Sequence, residues 1–228
     1  AKKAQNIYST FTQEQIDEIV KEISTEACKY EVELAKLANQ ETGFGKWEDK
    51  VLKTRLAAQG VYEYIKDMKT TGVIKEDNGA GIIEIGVPMG IIAALIPSTN
   101  PTSTVIYKIM ISLKAGNGII ISPHPNAKES IIRTAEILIN AAERKGAPKG
   151  LIGVIKTPTI QATNELMKHK DTSLILATGG EAMVHAAYSS GTPALGVGPG
   201  NGPAFIEKSA NIALSVKRIL DSKTFDNG

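Results

Sequence analysis

Few side chains in this chain of 228 residues could do chemistry, and most of them fall in short loops. Pro97-Ser98-Thr99-Asn100-Pro101 follows an apolar run ending at Ile96 and sets one neutral amide between two prolines. Read on its own, Asn100 caps a helix that begins at Pro101. Ser122-Pro123-His124-Pro125 is a second polar, proline-stiffened loop. Thr178-Gly179-Gly180 is a third, and it runs straight into a helical stretch. Free backbone N–H groups and the positive helix end there suit an anion such as a pyrophosphate. These glycines do not form G-x-G-x-x-G, and a glycine pair at such a turn is by itself more often turn geometry than a cofactor site. The single cysteine, Cys28, lies in an amphipathic stretch where it packs or faces solvent, with no neighbour that would lower its pKa. His124 is placed to line a groove, whereas His169 and His185 fall in helices, and their spacing with Cys28 gives no metal site.

The loops need elements to hold them. Thr12 and Gln15 form a capping box, after which Ile16, Ile19, Val20, Ile23, Ala27, Tyr30, Leu34 and Leu37 recur at helical spacing. Gly43 and Gly45 end that stretch, and a second helical pattern runs from about Trp47 to Met68. Residues 1–70 are therefore expected to form a helical layer, and 71–88 a hairpin-like segment. From 89 to 228 strands and helices alternate. Strands are expected at Gly81–Ile85, Gly90–Ile96, Gly118–Ser122, Leu151–Lys156, Ser173–Ala177, Ala194–Val197 and Ala204–Ile206. Helices are expected from Pro101, from a cap at Asn126 with Glu129, and at Ile160–His169, Gly180–Tyr188 and Ser209–Ser222. Short apolar strands separated by helices imply a doubly wound, mostly parallel α/β sheet with an N-terminal helical layer. In such sheets ligands sit beyond the carboxyl ends of the strands, which is where the three loops fall.

Composition narrows the partners. The chain is 42% hydrophobic with a net charge of +2, which is ordinary for a globular domain and far from a nucleic-acid-binding stripe. No apolar run is long enough to span a bilayer, and no signal core follows Lys2 and Lys3, so the expected location is the cytoplasm. The missing initiator Met and the ending at Asp226-Asn227-Gly228 lead us to expect a piece of a larger protein.

Taken in order, Ile96-Pro97-Ser98-Thr99-Asn100-Pro101, Ala177-Thr178-Gly179-Gly180 and Phe225-Asp226-Asn227-Gly228 resemble successive signatures of the aldehyde dehydrogenase superfamily. The wording of Ser122-Pro123-His124-Pro125, Gly198-Pro199-Gly200-Asn201 and Ser222 to Gly228 is similar to its CoA-acylating branch, including the aldehyde dehydrogenase portion of bifunctional aldehyde-alcohol dehydrogenases. The likeness runs over essentially the whole chain and implies a Rossmann-like NAD-binding domain over 1–228, with the catalytic cysteine domain lying beyond it.

The resemblance makes Asn100 the side-chain donor of an oxyanion hole. Ile96, Pro97, Ser98, Thr99, Ser122, Pro123, His124, Thr178, Gly179, Gly180, Met183, Gly198 and Pro199 become the NAD site. The adenosine would lie near Ser122 and Met183 and the pyrophosphate near Gly179 and Gly180. Ser122 stands where hydrolytic members carry a lysine for the adenosine ribose, and Val197-Gly198-Pro199-Gly200 stands where they carry the glutamate that activates water. An acyl-enzyme without that base waits for a thiol, which CoA supplies. The implied enzyme converts a short aldehyde, NAD and CoA to acyl-CoA and NADH, reversibly, through a cysteine thioester beyond Gly228. It is expected to be a homo-oligomer without nucleic-acid or membrane partners, in the cytoplasm or a bacterial microcompartment. This chain alone is expected to be inactive. A hydrolytic dehydrogenase and a non-catalytic nucleotide-binding module remain the alternatives.

Overall fold

The computed structural model describes residues 1–226. Helices α1 (Lys2–Tyr8), α2 (Gln13–Lys29), α3 (Glu31–Thr42) and α4 (Trp47–Arg55) come first, and a π-helical turn at Leu56–Gly60 joins α4 to α5 (Val61–Ile65). The capping box closes as expected: Thr12 Oγ1 accepts from Gln15 N at 3.4 Å, and Gln15 Oε1 accepts from Thr12 N at 2.9 Å. Behind it the apolar stripe Ile16, Ile19, Val20, Ile23 and Ala27 is buried. Gly43 stops α3 in the left-handed conformation, at φ 68°.

Strands β1 (Gly72–Asp77) and β2 (Ile82–Gly86) form a separate antiparallel hairpin. The main body follows as β3 (Ile91–Leu95), α6 (Pro101–Lys114), β4 (Gly118–Ser122), α7 (Lys128–Arg144), β5 (Ile152–Val154), α8 (Ile160–Lys168), β6 (Thr172–Thr178), α9 (Glu181–Tyr188), β7 (Ala194–Val197) and α10 (Ile212–Thr224). Its five strands lie in the order β5-β4-β3-β6-β7, every pair parallel. Alternation along β3 builds both faces. Ile92 and Ala94 join the core shared with α2, α6 and α7, while Ala93 and Leu95 join Leu166 and Met167 of α8 and Ala187 of α9. The sheet is thus covered on both sides, as its continuous apolar strands require.

Two expectations fail for physical reasons. Ala204–Ile206 is not a strand. Only six residues separate it from β7, too few for a parallel crossover, and Phe205 is left 92% exposed. Asn126 does not cap α7, because Pro125–Ala127 coils into a 3-10 turn and the helix starts at Lys128. Instead Glu41 of α3 reaches across, and its carboxylate accepts from Glu129 N at 2.7 Å and Ser130 N at 2.8 Å. A carboxylate at a helix N-terminus satisfies free donors and complements the helix dipole.

Candidate functional site

The strand order reverses direction at the β3–β6 pair, and a crevice opens beyond the carboxyl ends of these two strands. A groove of about 760 Å³ fills it, within the range of small-molecule sites. One wall is the β3–α6 loop, with Ile96, Pro97, Ser98, Thr99 and Asn100. A second is Ser122, Pro123 and His124 after β4, and a third is Thr178, Gly179, Gly180 and Met183 between β6 and α9. Gly198 and Pro199 after β7 close one end. Every residue assigned from the sequence to the NAD site or the oxyanion hole therefore lines one space.

Each wall is built by ordinary local chemistry. The Asn100 carbonyl accepts from Thr104 N at 3.2 Å and so begins α6, with Pro101 in its first turn. The Asn100 side chain, however, makes no capping bond, which corrects the cap suggested by its sequence position. Its Oδ1 accepts instead from Lys53 Nζ at 3.2 Å. Ser122 is buried and its Oγ lies 2.8 Å from Thr163 Oγ1 of α8, so this hydroxyl is already partnered inside the wall. His124 Nδ1 accepts from Asn126 N at 3.1 Å, which pins the ring at the groove edge. Gly180 precedes α9 with no side-chain cap, and a Cβ built on it would meet open space. The third wall thus offers uncapped helical backbone to whatever fills the groove.

Beneath the crevice Lys108 donates to the Leu95 and Leu176 carbonyls, each at 2.8 Å, clipping together the two strands at the reversal. Burial lowers its pKa to about 7. Beside the groove, Lys50 and Lys53 of α4 converge on the buried carboxylate of Asp226. Burial lowers the Lys50 pKa, and Asp226 opposes that shift.

Lys50, Lys53 and Lys108 were not among the residues picked from sequence, and Asp226 entered only as part of the Phe225-Asp226-Asn227-Gly228 signature, with no role in the site. Lys50 and Lys53 share a helix face at i, i+3, and Lys108 interrupts the apolar run Val105, Ile106, Ile109 and Met110. Such a lysine in a core helix is the signal that could have found it.

Among the described residues no Asp or Glu lines the groove. Glu207, the nearest carboxylate after β7, is exposed and turned onto the backbone N–H and hydroxyl of Ser209, and these bonds lower its pKa. Cys28 sits on α2 outside the groove, where burial raises the pKa of its thiol. No group of three or more His, Cys, Asp or Glu that could hold a metal occurs among the described residues. No helix of these residues is long and apolar enough to cross a membrane.

Residues 1–228 match the family described as "Aldehyde dehydrogenase family". The chain is 52% identical over 227 residues to the bifunctional aldehyde-alcohol dehydrogenase AdhE of Escherichia coli (strain K12), covering 100% of this chain and 26% of that protein. Among solved structures it is similar to a probable aldehyde dehydrogenase from Listeria monocytogenes EGD-e, at TM-score 0.97 and 62% identity, covering 100% of this chain and 50% of that one. An acetylating aldehyde dehydrogenase from Geobacillus thermoglucosidasius gives TM-score 0.97 and 56% identity, with 99% and 50% covered. The propionaldehyde dehydrogenase of Rhodopseudomonas palustris, solved with bound propionyl-CoA, gives TM-score 0.89 and 32% identity, with 100% and 50% covered. The chain thus spans about a quarter of the bifunctional relative and about half of each solved one.

Proposed function

The chain belongs to the aldehyde dehydrogenase family, and we propose that it is the dinucleotide-binding portion of an enzyme that oxidises a short aldehyde with NAD and transfers the acyl group to coenzyme A, or runs in reverse. The observation that carries this reading is a switch-point groove with, among the described residues that line it, one side-chain amide donor, Asn100, and no carboxylate. The resemblance to an acetylating aldehyde dehydrogenase and to a propionaldehyde dehydrogenase solved with bound propionyl-CoA points the same way.

The groove suits a dinucleotide by its volume, by its uncapped helix start, and by the open space at Gly180 through which a pyrophosphate can approach the backbone. When bound, NAD supplies the hydride acceptor. Gly179 and Gly180 would meet its pyrophosphate, with the adenosine toward Ser122 and Met183. Asn100 would donate from its NH2 to the oxygen that becomes negative when a cysteine thiolate of the remaining enzyme adds to the aldehyde carbon. Donors of this kind contribute roughly 2.7 to 4 kcal/mol to the transition state. With no carboxylate among the described residues of the groove to activate water, the thioester persists until the CoA thiol, partly ionised near neutral pH, displaces the cysteine. The β1–β2 hairpin, with Val73, Ile74, Ile82, Ile83 and Ile85 exposed, supports a homo-oligomer built through this arm.

Product analysis on the full-length enzyme tests the reading. Acyl-CoA should form with NADH at least about a hundredfold faster than free acid forms without CoA, because a general base for water typically contributes that much. Equal rates of the two would overturn it in favour of a hydrolytic dehydrogenase.

A further inference from the structure

Asn100 is oriented from outside its own loop. A lysine ammonium has donors only, so the Asn100 atom facing Lys53 Nζ at 3.2 Å is the amide oxygen, and the NH2 is turned to the other side. Lys53 is itself held. Its Nζ lies 2.8 Å from Asp226 Oδ2 and 5.5 Å from the centre of the Phe225 ring. The same carboxylate, fully buried, receives Lys50 Nζ at 3.2 Å and Lys46 N at 3.2 Å, while Lys50 also donates to the Thr99 carbonyl at 3.0 Å. Thr99 and Asn100 are therefore each tied to a lysine of α4, and both lysines to one aspartate.

The backbone is shaped to make this meeting possible. Asp226 has φ 53°, a left-handed conformation uncommon for a residue with a side chain, and its N–H donates to Asp49 Oδ2 at 2.8 Å. A Cβ on Gly45 would lie 1.8 Å from Asp226 Oδ1, so only glycine lets the carboxylate in. Buried ion clusters rarely add net stability over apolar packing, and strained backbone of this kind collects where function requires it. An ammonium on the amide oxygen also polarises the amide, which makes its N–H groups stronger donors.

We infer that Lys53 is a positioning residue for the chemical step, aiming and polarising the Asn100 amide, with Asp226 and Lys50 fixing Lys53 and the loop. This rests on the oxyanion role proposed for Asn100. The alternative is that Lys53 only pins the Phe225–Asp226 segment to α4, in which case its removal acts independently of Asn100.

A double-mutant cycle in the full-length enzyme separates the two. Lys53→Met should lower acyl-CoA-forming turnover by about tenfold or more, the scale of losing a charge-assisted hydrogen bond, while KM for NAD stays within about twofold. In an Asn100→Ala background the same change should cost less than about twofold, since the interaction is already gone. Lys53→Gln, which keeps a donor without the charge, should fall between wild type and Lys53→Met. Lys53 is a quarter exposed, so if circular dichroism shows Lys53→Met unfolded, Lys53→Ala, which admits water, carries the same cycle. Full turnover in Lys53→Met, or an equal loss with and without Asn100, would overturn the inference. Wild-type turnover in Asn100→Ala alone would instead locate the failure in the oxyanion reading.

Discussion

Lys108 buries its side-chain nitrogen beneath the groove, at 1% exposure, and makes no ion pair among the described residues. Two strand-end carbonyls receive it instead. With its pKa lowered by burial to about 7 from an ordinary 10.5, the folded state gives up this proton well before the unfolded state does. Between those values the unfolded chain holds the extra proton, so stability rises with pH across that window and is flat below it. We expect the apparent melting temperature of the wild-type enzyme to gain on that of Lys108→Met between pH 7 and 9.5. Parallel curves would show that Lys108 does not titrate there. Asn100 was legible in the sequence because its prolines mark the loop, but its partner was not. Lys53 and Asp226 stand 173 positions apart, and nothing local to either predicts their meeting.

At the scale of elements, period and breaker residues carried the reading: strands β3, β4, β6 and β7 and the helices between them fall where apolar runs and glycines placed them. What was missed depends on tertiary neighbours. The cap of α7 comes from α3, and the apolar Ala204–Ile206 lacks the crossover that would let it pair. The β6–α9 turn offers a direct test of the groove. Gly180 has φ −66°, which any residue adopts, and open space where a side chain would project. Gly180→Trp should therefore fold normally and obstruct the groove, raising KM for NAD at least about tenfold, the effect of roughly 1.4 kcal/mol. An unchanged KM in the folded variant would move the dinucleotide elsewhere.

Over the whole molecule, several exposed apolar side chains fall in each of two stretches of the chain. One is the β1–β2 hairpin, and the other is Phe205 with Ile212, Leu214, Val216 and Leu220 of α10. Faces of this kind are interaction surfaces, and under the proposed reading a second copy and the rest of the enzyme cover them. The groove holds an amide donor and, among the described residues, no carboxylate, and that pairing is the centre of the account. A rapid-mixing experiment on the full-length enzyme with aldehyde and NAD, but without CoA, addresses it most directly. NADH should appear in a burst equal to the concentration of active sites and then stall, because the thioester has no activated water to release it, and turnover should resume when CoA is added. Steady NADH production without CoA, at the rate seen with it, would contradict the account and require a water-activating base in this groove.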